Sequence, residues 1–545
     1  AEDHGPSAVT PLHEPRGEGV PVGIGEPLEE RNLGEEGAVL HRPMVARRTG
    51  ALQAALTAPE PVAWSRLARM YENLPRALQE LGPIALLLGA IALVLSRLPR
   101  LELGHSPAFL RRRAANWLPA GLTYAFLYMG RYNLNACKNA LGDAMPKEAF
   151  GTIFFWGTLV YGFSFVLNGP LTDRFGGRRA LLLAALGATA MNLAMGAVLA
   201  LGLTGGLVTT FSVLYAANMY FQSFGAVAIV KVNSAWFHVR ERGTFGGVFG
   251  ILIALGIYFA YDWGRLIVET LPVHWVFFIP AACLVVLAGW DLVMVRDLPS
   301  EAGHADFDPG DASSGDDGPR LPVKEVARRM LASPAIVIIG AVEFCSGYLR
   351  NAVLQWYPIF AKDTGIVRSF VPSHWGMLNC IAGILGGVVA GLLSDRIFGA
   401  RRGPVAAVLY GVLVLGSVVM SPLLTSAALG WLMVLMGLAV IGVHGMLSGT
   451  ASMDFGGRKN VGVAVGIIDG LVYLGTAVEA LVLGKVLPKG SAAADPAQWW
   501  AWPVVMAPVA LCGLILATRL WNARPTKYRP PASAATPVAN AALAE

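Results

Sequence analysis

Residues 180–201, ALLLAALGATAMNLAMGAVLAL, contain no charged side chain, and similar runs recur along most of the 545-residue chain. A helix of about 20 apolar residues crosses the roughly 30 Å hydrocarbon core of a bilayer. Inside lipid each backbone N–H and C=O must find its partner within the protein, which a helix achieves along its own length. The expected fold is therefore an all-α membrane protein. Composition agrees, with 55% hydrophobic and 14% charged residues, against about 25% charged in soluble domains. The 63 glycines suit helices that pack closely in lipid.

Twelve spans are predicted, near 114–137, 150–172, 179–202, 206–236, 244–265, 272–294, 333–360, 373–395, 403–424, 427–450, 461–487 and 500–520. They form an N-terminal six-helix bundle over 114–294 and a C-terminal one over 333–520. Residues 295–332 are polar and rich in Gly and Asp, and read as the central loop. Residues 521–545 form a tail. Residues 1–81 are rich in Pro, Gly and Glu, the composition of a disordered leader. The stretch 82–98, GPIALLLGAIALVLSRL, reads equally as an extra transmembrane helix or as an interfacial one. The chain starts with Ala rather than Met, so a segment is expected to have been removed, and if 82–98 crosses the membrane a cleaved signal peptide fits an external amino terminus.

Alternate loops differ in basic residues. One set carries Arg111, Arg112 and Arg113, then Arg174, Arg178 and Arg179, then Arg240 and Arg242, and further pairs through Arg458 and Lys459. The other set has only Lys147, Arg265, Lys362, Arg368 and Lys489. The positive-inside bias assigns the first set to the cytoplasm, with both ends of the twelve-helix body. The net charge of +6 is thus spread as topology signals, and no nucleic-acid partner is implied. Cys137, Cys283, Cys345, Cys380 and Cys512 lie in apolar runs without metal or redox spacing, and read as packing residues.

The two bundles repeat. GPLTDRFGGRR closes the second span and GLLSDRIFGARR the eighth, with Asp173 and Asp395 222 residues apart. Arg131 in YMGRYNL and Arg350 in GYLRNAV are 219 residues apart. Repeats of one orientation imply a pseudo-two-fold axis along the membrane normal.

With twelve spans, two repeats and GPLTDRFGGRR in the loop after the second, the chain resembles the major facilitator superfamily. Gly169, Asp173, Arg174, Gly176, Arg178 and Arg179 match the family's loop signature, and Asp395 with Arg396 echoes it. In this reading Asp173 latches helices by taking helix-end amides or a loop arginine. Within the superfamily, GRYNLNACKNAL, YGFSFVLNGPLTDR, WFHVRERG and YLRNAVLQWYPIFAKD resemble the organophosphate:phosphate antiporters, over roughly 114–520. The resemblance implies that Arg131 and Arg350 hold the substrate phosphate. Two positions depart: Phe165 stands where exchangers often have Lys, and Ala235 where glycerol-3-phosphate exchangers have His.

The arginines carry weight without the family. At 1.5 Å per residue each lies roughly 21–22 Å into its helix, and a charge near the bilayer centre costs about 2.5–3.5 kcal/mol on insertion scales. A polar cavity or a bound anion lowers that cost, and guanidinium forks match phosphate oxygens. Snorkelling is the bland alternative for Arg131, and an ion pair with Glu343 the one for Arg350. Lys138 reads as a mouth residue or snorkeller. Glu343 and Asp469 are candidate substrate or coupling groups, Glu479 and His444 candidate helix–helix contacts. Lys231, Tyr132 and Tyr161 are weaker candidates for lining the pathway.

No catalytic constellation and no phosphate-cradling Gly-rich loop appears, so neither an enzyme nor an ATP-driven pump is indicated, and no cofactor or metal is implied. The expected activity is secondary transport of a small anionic organic solute, an organophosphate exchanged for inorganic phosphate by alternating access. A proton-coupled carboxylate symporter and a transport-incompetent sensor of a phosphate ester remain alternatives. The expected setting is a bacterial inner membrane, the expected partners the lipid bilayer, the anion and phosphate or a proton, and the expected state a monomer.

Overall fold

A computed structural model describes residues 105–238, 252–307, 322–398 and 401–522, with Ala85 and Gly89. The leader, nearly all of 82–98, part of the central loop, and the tail beyond 522 lie outside the described residues, as do the side chains of Asp395 and Arg396.

Every expected span holds a helix. In the first half these are α1 Pro107–Leu141, α2 Lys147–Phe175, α3 Gly177–Ala200 and α4 Leu207–Ser234. Then come α5 over 252–270 and α6 Trp275–Met294. In the second half they are α7 Pro334–Asp363, α8 Trp375–Leu392 and α9 Arg402–Leu423. α10 Ala428–Ser448, α11 Val465–Val486 and α12 Ala501–Arg519 complete it. Nine helices among the described residues are long and apolar enough to cross a bilayer. α1 is long enough, but its second half carries Arg131, Asn133, Asn135 and Lys138.

Local chemistry sets the ends. Ser106 accepts from the Phe109 amide at 3.2 Å and Pro107 opens α1, both favoured at a helix start. Gly176 closes α2 at φ 89°, where a side chain would be strained. Helical bonding runs from Ala428 to Val486, which as a rod would be about 88 Å long. The Ser448 hydroxyl donates to Asp469, and in a rod those residues would be about 31 Å apart. The chain therefore folds back between them, giving two antiparallel spans.

The halves meet along α2 and α11 through small residues. A Cβ on Gly162 would lie 2.9 Å from the Gly470 carbonyl oxygen, and one on Gly466 2.7 Å from that of Phe165. At the arginine-poor end a polar clasp joins them. Lys147 pairs with Asp363 and donates to the Pro488 carbonyl at 2.8 Å. Lys489 pairs with Glu148 at 2.6 Å, and Asn135 donates to the Gln355 carbonyl at 2.7 Å. Asp262 sits in a widened turn of α5, Phe259–Trp263, and accepts the Gly376 and Met377 amides at 2.7 and 2.8 Å. A carboxylate of one half thus caps the start of α8 in the other. The hydrogen bonds that tie Asn135, Asn139, Lys147, Asp262, Arg265 and Lys489 across the halves lie nearer this end than Arg131, and the one from Arg131 to Tyr473 lies at its own level.

Candidate functional site

Tyr128, Arg131 and Tyr132 share one face of α1, three and four residues apart. That face turns inward. Arg131 is 0% exposed. Its Nε donates to Gln222 of α4 at 3.0 Å, Nη2 to the Tyr161 hydroxyl of α2 at 2.6 Å, and Nη1 to the Tyr473 hydroxyl of α11 at 2.9 Å. The guanidinium also lies over the rings of Tyr128 and Tyr161, 4.6 and 4.4 Å from their centres. All three polar partners are neutral, so its charge is solvated but not cancelled.

A second layer fixes Gln222 and the α1 backbone at Arg131. Gln222 donates to Asn218 at 3.1 Å, Asn218 to the Gly130 carbonyl at 3.1 Å, and Asn192 to Asn218 at 3.2 Å. Asn133 donates to Asn192 at 2.8 Å, and Tyr215 to the Arg131 carbonyl at 3.0 Å. A buried network of this kind, paired throughout except at Asn133 Oδ1, holds its members in one geometry. It also shows where Asn133 faces: into the core of the first half.

Arg350 of α7 lies across the half interface, 5.4 Å from the centre of the Tyr473 ring and in hydrogen-bonding reach of its hydroxyl. Arg131 stands 5.7 Å from the same centre. One tyrosine thus lies between the two cations. Neither arginine has a carboxylate within ion-pair distance among the described residues. Glu343, on the same helix, pairs instead with His444 of α10 at 2.9 Å. Asp469 takes the Ser448 hydroxyl, and Glu479 takes the Asn351 amide.

Of the other sequence candidates, Tyr132 stays at this centre and Lys138 and Lys231 lie apart from it. Tyr132 packs on Phe154 and Tyr261 beside Arg131. Lys138 is buried at the clasp, near Asp363, Lys147 and Asp143, rather than open at a mouth. Lys231 is tied to Asp173 at 2.7 Å. Phe165 stacks on Tyr473, so the aromatic ring fills the space where exchangers often have Lys. Ala235 follows the end of α4, 13 residues past Gln222, about 20 Å along the axis, too far to touch the arginines.

Two acids engage the residues of the loop signature. Asp173 takes Lys231, while the amide of Arg178 at the start of α3 is taken by Asp297 at 2.7 Å. Burial pushes the Asp297 carboxyl above its usual range, and the Arg178 amide pulls it back. The Arg178 guanidinium donates to the Leu292 carbonyl. Gly169 is buried; Arg174 and Arg179 face outward. Sequence reading missed Tyr473, Gln222, Asp262 and Asp297. Asp262 and Asp297 were visible as acids beside apolar runs; Tyr473 and Gln222 carried no such signal.

A twelve-helix bundle in two repeats, with an uncancelled cationic centre where they meet, has the build of a membrane transporter. The chain belongs to the major facilitator superfamily, whose family model matches residues 120–480. It is similar to the membrane sensor protein UhpC of Salmonella typhimurium, 23% identical over 73% of this chain and 88% of that protein. It is also similar to the glycerol-3-phosphate transporter of Bacillus subtilis, 24% identical over 76% of this chain and 94% of that one. Among solved structures, the bacterial homologue of the human lysosomal transporter Spinster shares the fold, with a TM-score of 0.54 at 12% identity over 76% of this chain and 97% of that one.

Proposed function

We propose that this protein exchanges a small organophosphate for inorganic phosphate, carrying each across the membrane by rocking of its two halves about Arg131 and Arg350. The observation that supports this reading is the pair of arginines around Tyr473, one from each half, both without a carboxylate partner among the described residues. Two guanidinium forks offer charge and bidentate geometry to a phosphate dianion. The Tyr473 hydroxyl is an oxygen between them, and a phosphate oxygen arriving there would take over the same donors. Because the arginines belong to different halves, a bound anion ties the halves together, as alternating access about a central site requires. The clasp holds the arginine-poor face shut. By the positive-inside bias that face is external, the arginine-rich loops are cytoplasmic, and the membrane is a bacterial inner membrane.

Counterflow in proteoliposomes tests the reading. Uptake of labelled phosphate that requires internal phosphate, and is inhibited by phosphate esters, is the expected result. Uptake that ignores internal phosphate and follows an imposed proton gradient would replace exchange by symport. The likeness to a membrane sensor favours a second reading, an ester receptor that does not transport; binding without counterflow at any substrate concentration would select it.

A further inference from the structure

The second half buries titratable groups that phosphate exchange does not use. Glu343 is 0% exposed, and its Oε2 lies 2.9 Å from Nδ1 of His444. Its Oε1 has no hydrogen-bond partner among the described residues. Glu343 lies seven residues before Arg350 on α7, two turns away on the same face, and interacts with it electrostatically. Charged and titratable groups surround it from each neighbouring element. Arg350 is on its own helix, Tyr410 on α9, His444 on α10 and Asp469 on α11, while Cys345 of α7 and Cys512 of α12 face Tyr410. Tyr410 is engaged with the Val342 carbonyl and Asp469 with Ser448.

An ionised carboxylate with one bare oxygen, away from water, is costly unless a nearby cation offsets it. Arg350 supplies that cation only while its own charge is uncancelled. An anion on Arg350 cancels it, and Glu343 must then become neutral or share a proton with His444. Anion and carboxylate therefore compete for one guanidinium. We propose that Glu343 and His444 form a proton-binding site linked to the anion site, so that each phosphate binds together with one proton. The proton comes from water. It adds to the carboxylate Oε1, or to the imidazole facing Oε2, and leaves with the anion; no bond other than O–H or N–H forms or breaks. The His444 side chain is 22% exposed, against 0% for Glu343. This inference rests on the phosphate reading above.

The test uses the full-length purified protein and inorganic phosphate, with Kd measured from pH 6 to 8 for wild type and Glu343→Gln. Phosphate's own titration is common to both. The expected result is a wild-type Kd that rises more steeply, by up to about tenfold per pH unit relative to the variant. Equal slopes overturn the proposal. Should Glu343→Gln fail to fold, calorimetry of phosphate binding to wild type in two buffers of different ionisation heat decides. Uptake of close to one proton beyond that required by phosphate supports the proposal, and none refutes it. Absence of phosphate binding to wild type at every pH removes the phosphate reading itself, a result distinct from binding with equal slopes.

Discussion

The two halves hold their arginines by different chemistry. Around Arg131 lie two phenols and a carboxamide, the carboxamide tied onward through Asn218 to a backbone carbonyl, with no carboxylate in hydrogen-bond contact among the described residues. Around Arg350 lie Glu343, His444 and Asp469, with one Glu343 oxygen unpartnered. Neutral dipoles locked by a second layer offer a fixed field that pH does not alter. Acids beside a guanidinium offer a field that changes with each proton. The fold is two-fold in its backbone, yet its centre pairs a rigid receptor with a responsive one.

The harshest way to break this comparison removes the feature both halves share. Arg131→Lys and Arg350→Lys keep the charge but lose the fork. Losing one charge-assisted hydrogen bond, about 1.5–3 kcal/mol, weakens binding roughly tenfold or more. Both variants are expected to abolish counterflow at wild-type membrane levels; near-normal exchange in Arg131→Lys would take that residue out of the site.

A milder change separates the halves. Gln222→Leu leaves the buried Nε of Arg131 without its acceptor. Phosphate Kd is expected to rise about tenfold, from loss of a hydrogen bond to a charged group, with the wild-type pH slope intact. A changed slope would mean that the first half also titrates.

Asp262→Ala probes the contact between halves. It removes the carboxylate that holds two amides of α8, so the arginine-poor face is expected to open more often. In an Asn139→Cys background, whose site abuts the Pro358 carbonyl, labelling by an impermeant maleimide should accelerate about tenfold, as loss of about 1.4 kcal/mol from the closed state requires. Unchanged labelling would mean that Asp262 does not hold the closed state. Lys138→Ala is the smallest change, expected to leave phosphate Kd within about threefold, because the residue belongs to the clasp and not to the arginine centre.

The spans, their repeat and the two arginines were legible in the sequence because each departs sharply from its surroundings. A charge inside an apolar run is visible in one dimension. Tyr473 and Gln222 were not legible. A tyrosine or glutamine in a helix is compatible with ordinary packing, and what sets them apart is a partner 342 or 91 residues away. The loop signature shows a different limit. Its Arg178 amide is taken by Asp297, 119 residues further on, because the α6 exit passes beside Gly176. Local spacing predicts which residues are special, but their partners depend on helix packing.

The glycine contacts between α2 and α11 differ from those inside the second half. Gly347 and Gly475 bring α7 and α11 so close that a Cβ on either would overlap the Val472 or Phe344 carbonyl. Arg350 and Tyr473 are thereby fastened to one body. Between the halves, Gly162, Gly466 and Gly470 present nearly bare backbone to backbone. Interlocked side chains must unlock before two surfaces can shift; bare ribbons have little to unlock. The seam is a plain bearing: it fixes the distance between the halves while leaving them free to roll, and grit in the form of a single branched side chain at Gly470 would seize it without touching a charged group.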